Sequence, residues 1–215
     1  MFSRYSIQAC SIVALLFAFA LVDDAEAQVN IPFQVLSGAG TLDQFPSATE
    51  NVQDHNIMSG SVQFGDQTLA YTGDGSVRLL GLPDETGTAP FDSATPFLFD
   101  FGDGNSIQLH YGHPEVGAPS TGSATIQPSS QPDLVNVTWL ATFNPVPGTG
   151  TGIFENVVGG AFFMTASQTE VDPTGQNLPY MWSSDPGYLT VVPEPHCLAI
   201  LGWAACFLLP LARRR

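Results

Sequence analysis

In the stretch "HYGHPE", His110, His113 and Glu115 form the one close grouping of residue types that bind transition metals. Imidazole and carboxylate suit zinc, but zinc needs a third or fourth ligand held rigidly by a second layer of hydrogen bonds. His55, the other histidine of the central stretch, shows no tie to this pair. On a strand, His110 points away from the side that carries Ile107, Leu109 and Tyr111. We therefore expect a solvent-facing histidine beside a turn histidine, and no metal centre.

Oxygen ligands gather in "DFGDGN", where Asp100, Asp103 and Asn105 crowd one turn, and Asp74 sits in the similar "GDGS". These are candidate calcium ligands, but the spacing lacks the distal glutamate of an EF-hand loop. Asp-Gly is also the ordinary chemistry of a tight hairpin, which is the reading adopted here. No cofactor is implied.

Covalent catalysis finds little material. The chain has no G-x-S-x-G elbow and no lysine, and its three cysteines, Cys10, Cys197 and Cys206, all lie in the two terminal apolar segments. Paired carboxylates for glycoside hydrolysis depend on a spacing that sequence does not display. We expect a non-catalytic domain, with an extracellular glycan-acting enzyme as the alternative. Exposed rings could stack on sugars. Trp139 alternates with core positions, while Tyr180 and Trp182 in "PYMWSSDPGY" are the better stacking candidates, although strand alternation sets both on one face.

The elements that must hold these residues are strands. In "LVNVTWLATF", Val135, Val137, Trp139, Ala141 and Phe143 share one face, and Asn136, Thr138 and Thr142 the other. "PFLFDF" and "SIQLHY" repeat the pattern, joined by Gly102-Asp103-Gly104-Asn105, a strong hairpin signal. Further candidates are "IPFQVL" (31–36), "SGSVQF" (59–64), "TLAYT" (68–72), "SVRLLG" (76–81), "GAFFMTAS" (160–167) and "YLTVV" (188–192). Many short strands punctuated by Gly and Pro predict an all-β antiparallel sandwich or barrel over residues 28–191, with helix confined to the two ends. Val137, Trp139, Phe99, Leu109 and Phe162 are the expected core.

Charged residues make up 12% of the 215, against roughly 25% in an ordinary soluble protein. The deficit is one-sided, since Arg78 is the only permanent cation between residues 28 and 195 of a chain with net charge −15. Such a stretch repels polyanions and excludes nucleic-acid binding through phosphate contacts. Without a central cysteine, the domain must hold by packing and strand pairing alone.

The two ends read as addresses. Arg4, the apolar run Ile12–Val22 and the A-x-A site Ala25-Glu26-Ala27 predict a signal peptide over 1–27, cleaved by signal peptidase before Gln28. At the other end, Cys197–Ala212 is uncharged and would form about 24 Å of helix, a little short of a ~30 Å hydrocarbon core. Arg213, Arg214 and Arg215 would stop transfer and stay cytoplasmic. Pro193 and Pro195 keep Glu194 in extended chain, as a protease requires.

Val192-Pro193-Glu194-Pro195, an apolar helix and a terminal arginine cluster, over 192–215, resemble the PEP-CTERM sorting signal of Gram-negative and related bacteria. The resemblance implies an exosortase as partner, cleavage near the motif, and transient anchoring in the inner membrane. It also implies an exported protein of the cell surface or extracellular matrix, associated with exopolysaccharide. "GDQTLAYTGDGSV", "IFENVVGGAFFMTA" and "LPYMWSSDPGYLTV" are in addition similar to strand–turn–strand blocks of secreted bacterial β-proteins that carry this tail.

Overall fold

The computed structural model describes residues 27–44, 53–111 and 122–193, with the backbone alone at 44 and 53–57. These residues form eleven strands in one antiparallel sheet. In chain order they are β1 (Val29–Gln44), β2 (Gln53–Phe64), β3 (Gln67–Leu79), β4 (Thr88–Asp92), β5 (Phe97–Asp100), β6 (Ser106–His110), β7 (Gly122–Pro128), β8 (Val135–Pro145), β9 (Val157–Val171), β10 (Gln176–Ser184) and β11 (Gly187–Val191). Helix among the described residues amounts to one 3-10 turn at Gly152–Phe154.

The sheet closes on itself. β3 pairs with β5 through Thr72–Asp74 and with β4 through Arg78 and Leu79, so β4 and β5 lie end to end in one position. β6 and β7 likewise share the position beside β8, and β10 and β11 the position between β9 and β1. Eleven strands with three shared positions leave eight, and each position pairs with its predecessor and successor in sequence. β1 meets β11 and β10, which joins the last position to the first. No long edge is left to recruit another chain. Gln28–Val192 is one compact unit whose strand pairings are all internal, so it has what it needs to fold by itself.

Local chemistry sets the turns. In the β5–β6 hairpin, Gly102, Asp103 and Gly104 all have positive φ (75°, 53° and 78°). Glycine takes such angles without a Cβ penalty, and Asp tolerates them better than most residues. The Gly102 N–H donates to the Asp100 carboxylate at 2.8 Å, which fixes the entry to the turn.

"GDGS" makes no turn, contrary to expectation. Gly73–Ser76 runs inside β3, which is continuous from Gln67 to Leu79. The glycines serve packing instead: a methyl at Gly75 would overlap the Phe97 ring, and one at Gly73 the Leu98 carbonyl.

Alternate residues of every position point into the ring, and aromatic side chains fill it. Phe33, Phe91, Phe99, Tyr111, Phe143 and Phe154 are fully buried. Val137, Trp139, Phe99, Leu109 and Phe162, expected in the core, are all there. Phe143 stacks on Phe162 at 5.3 Å between centroids, and Phe91 meets Trp139 edge-on at 5.0 Å, both favourable ring geometries. Small residues make room for these rings. Gly38 lies under the Trp182 indole and the Tyr71 hydroxyl, where any Cβ would overlap both.

Candidate functional site

Several of the described candidates from sequence serve the fold. His110 is buried, not solvent-facing: its Nδ1 lies 2.9 Å from the Ser93 hydroxyl, itself fully buried. The Ser93 hydroxyl also contacts the Tyr111 N–H and carbonyl, each at 3.3 Å, so this group ties the end of β6 to the chain leaving β4. The expected solvent-facing histidine is thus buried, its ring met by Ser93 of the β4–β5 connection. His113 and Glu115 lie outside the described residues.

In the β5–β6 turn, Asn105 is engaged at both ends. Its Nδ2 donates to the Gly102 carbonyl at 3.1 Å, and its Oδ1 accepts the Ile153 N–H at 3.0 Å. With the Asp100 carboxylate on Gly102, two of the three calcium candidates already serve the turn and its neighbour. Asp103 is exposed at the tip. Among the described residues, no three His, Cys, Asp or Glu side chains come together to hold a metal ion.

Tyr180 and Trp182 are buried, which removes them as external stacking platforms. Both line an internal cavity of about 30 Å³, with Trp139, Tyr111, Met58 and Met164. Such a volume holds about two waters. Gln168 supplies a polar group to its wall: Oε1 accepts the Trp139 indole N–H at 3.1 Å, and Nε2 has no partner among the described residues. The indole can only donate, so it fixes the amide with its NH₂ turned away from Trp139.

Three interior phenols are held neutral. Burial raises the Tyr71 hydroxyl well above the ordinary tyrosine range. Burial does the same to Tyr180, reinforced by the neighbouring Tyr71, and to Tyr111, reinforced by Tyr180 and Asp92. A phenol whose folded pKa lies above the unfolded value of about 10 favours folding fully below that pH, and its contribution is lost as pH rises beyond it. We therefore expect the melting temperature to be flat near pH 8 and to fall steeply above about pH 10. Tyr111→Phe should make that fall shallower. A melting temperature unchanged to pH 11 would contradict the burial of these hydroxyls.

One ion pair joins β3 to β4. Arg78 Nε and Nη2 reach the two oxygens of Asp92 at 2.8 and 3.0 Å. The Asp92 side chain is 3% exposed and that of Arg78 38%. Asp92 is the buried carboxylate among the described residues, and it is fully engaged by this fork.

Outside the ring, charge is segregated. Strands β7, β8, β10 and β11 carry no charged residue, and β9 only Glu170, near its end. The Glu170 carboxylate is gathered in by Ser129, Ser130 and Gln131 at 3.2–3.3 Å. Asp66, Asp84, Glu85, Asp103, Asp133, Glu155, Asp172 and Asp185 all lie in connections. Between them the wall carries many hydroxyls. Thr125, Thr138 and Ser167 stand opposite one another across β7, β8 and β9, and Leu140, Thr165 and Ser183 across β8, β9 and β10.

Large apolar side chains are exposed on this same wall: Val158 and Phe163 on β9, Met181 on β10 and Tyr188 on β11. Tyr188 pairs with Ala161, two residues from Phe163 on the same face of β9. Between them, at the break from β10 to β11, the Asp185 N–H donates to the Phe163 carbonyl at 2.9 Å. The sequence signal for this group was the doublet Phe162-Phe163, in which alternation buries one ring and exposes the other. No protein-family model, curated protein or solved structure matches this chain.

Proposed function

We propose that this chain is an exported, non-catalytic β-barrel domain, delivered to the cell surface or extracellular matrix by its C-terminal signal. The observation that carries the reading is the order of parts behind the last strand. β11 ends at Val191, the Val192 N–H still donates to the Asn156 carbonyl at 3.0 Å, and Pro193-Glu194-Pro195, the apolar run and Arg213–Arg215 follow directly. A protease acting near that motif would thus meet its target beside a finished domain. The first strand starts one residue after Gln28, the expected mature N-terminus, which is consistent with removal of the leader. In this reading signal peptidase and an exosortase are the export partners. The C-terminal helix anchors the chain in the inner membrane before processing, and exopolysaccharide is the surrounding medium afterwards. Ala25, Glu194, Pro195 and the arginine triplet lie outside the described residues.

The test is mass spectrometry of the surface fraction from an exosortase-bearing producer. Mature protein is expected to begin at Gln28 and to lack Leu198–Arg215, and an exosortase deletion should restore the tail. Intact C-terminal peptides in the mature pool would remove the sorting half of the proposal. Hydrolysis of any glycan by the purified domain would replace the non-catalytic half with the enzyme reading.

A further inference from the structure

We infer that the outer wall around the β10–β11 break is a binding face for a neutral polysaccharide. Phe163 and Tyr188 would stack on the apolar faces of its sugar rings, and Asp185 would accept hydrogen bonds from its hydroxyls. The inference deepens the surface-domain reading, on which it rests only for the polymer's presence around the cell.

Three observations select this occupant. Phe163 and Tyr188, 41% and 43% exposed, are the two aromatic rings among the large exposed apolar side chains of the described residues, and they lie side by side rather than scattered. They sit on adjacent strands at the diagonal of a paired position, a separation of about 7–8 Å that suits neighbouring rings on one flat ligand. The positions around them hold hydroxyls: Thr165 and Ser183 are cross-strand partners, as are Thr142 and Phe163. A face of rings and hydroxyls offers stacking and hydrogen bonding, with Asp185 as its one charged acceptor.

Electrostatics decides among partners. The connections at both ends of the ring carry carboxylates, and Arg78, the one cation of the central stretch, is committed to Asp92. A polyanion approaching this face meets Asp185 and the acidic rims with no cation to receive it. A second copy would bring its own rims, from a chain of net charge −15, against the first. A neutral hydroxyl-rich polymer meets neither penalty, and its hydroxyls are the donors that Asp185, Thr165 and Ser183 can accept from.

Local construction fixes the site. Asp185 and Pro186 interrupt the last position of the ring, so Asp185 and Tyr188 both reach the outer surface while Ser184 and Leu189 stay buried. Gly187 is required at the crossing, since a methyl there would overlap the Ala161 carbonyl and Phe162.

The experiment uses residues 28–192, the self-contained unit described above, in pull-downs on microcrystalline cellulose and on alginate. Cellulose should retain the domain, and added salt should not release it, because no ion pair forms. Alginate should not. Phe163→Ser and Tyr188→Ser should each weaken retention about tenfold or more, the scale of one lost aromatic contact. Both side chains point outward, so melting temperatures should hold and report that the fold is intact. No retention on cellulose, equal retention by the variants, or preference for alginate overturns the inference. So does a concentration-dependent dimer that the Tyr188→Ser change dissolves, which would assign the face to a second copy. The sorting proposal fails separately, on the mass of the mature chain.

Discussion

Replacing Trp139 by alanine is expected to lower the stability of the domain by about 3–5 kcal/mol, the usual cost of removing a large buried aromatic. Three effects act together. The indole leaves its edge-on contact with Phe91, and the new space joins a cavity that already exists beside it. The Gln168 oxygen then loses its donor in an apolar setting, an orphaned group costing roughly 1–3 kcal/mol by itself. Trp139→Phe separates these contributions, since it keeps most of the ring and deletes the N–H. We expect it to cost about half as much or less, and thermal or urea unfolding of residues 28–192 measures both variants. Equal losses from Phe and Ala would show that the hydrogen bond, and not packing, dominates the site.

Arg78→Met is the second large effect, and its asymmetry is the informative part. The guanidinium is partly solvated, but its partner is a carboxylate almost wholly out of water. Removing the cation leaves that carboxylate buried and uncompensated, a loss near the lower end of the 3–5 kcal/mol range because water can enter where the arginine was. Asp92→Asn should cost less, about 1–2 kcal/mol, because the freed arginine can turn to solvent and the amide retains hydrogen-bonding capacity. The double change Arg78→Met with Asp92→Leu should recover much of the first loss, as a buried pair replaced by apolar groups often does. If Asp92→Asn proved the more damaging single change, Asp92 would be serving something beyond this pair.

The residues that sequence read well are those whose environment is local. The β5–β6 hairpin, the inward face of β8 and the burial of Phe99, Leu109 and Phe162 follow from period-two alternation and an Asp-Gly turn. What it misread depended on partners far along the chain. Gly73 and Gly75 read as a turn because the Leu98 carbonyl and the Phe97 ring that require them belong to another strand. β4 and β7, "TAPFD" and "GSATIQP", carry proline and small residues and give almost no periodic signal, so only pairing with β3 and β8 makes them strands. The burial of His110 depends on Ser93, which lies in a connection that alternation cannot describe. The exposure of Phe163 and Tyr188 likewise depends on which strands flank them. Tyr180 and Trp182 attracted notice as aromatic residues, while exposure singled out Phe163 and Tyr188.

The junction of β1 with β10 and β11 has a kinetic consequence. Every other pairing joins positions that follow each other in sequence, and the hairpins among them form within microseconds. The closing pairings, such as Asn30 with Thr190, connect residues about 160 apart and must wait for both ends of the domain to be present. Long-range closure of this kind slows folding. A chain emerging from a ribosome or channel would thus carry two unsatisfied strand edges until its final residues appeared, and a product truncated before Gly187 could close only along β10, leaving Val29–Phe33 of β1 without the β11 partner. Chains cut at that point should be sticky intermediates, open to edge-to-edge association, while the whole domain becomes resistant to proteolysis in one late, cooperative step.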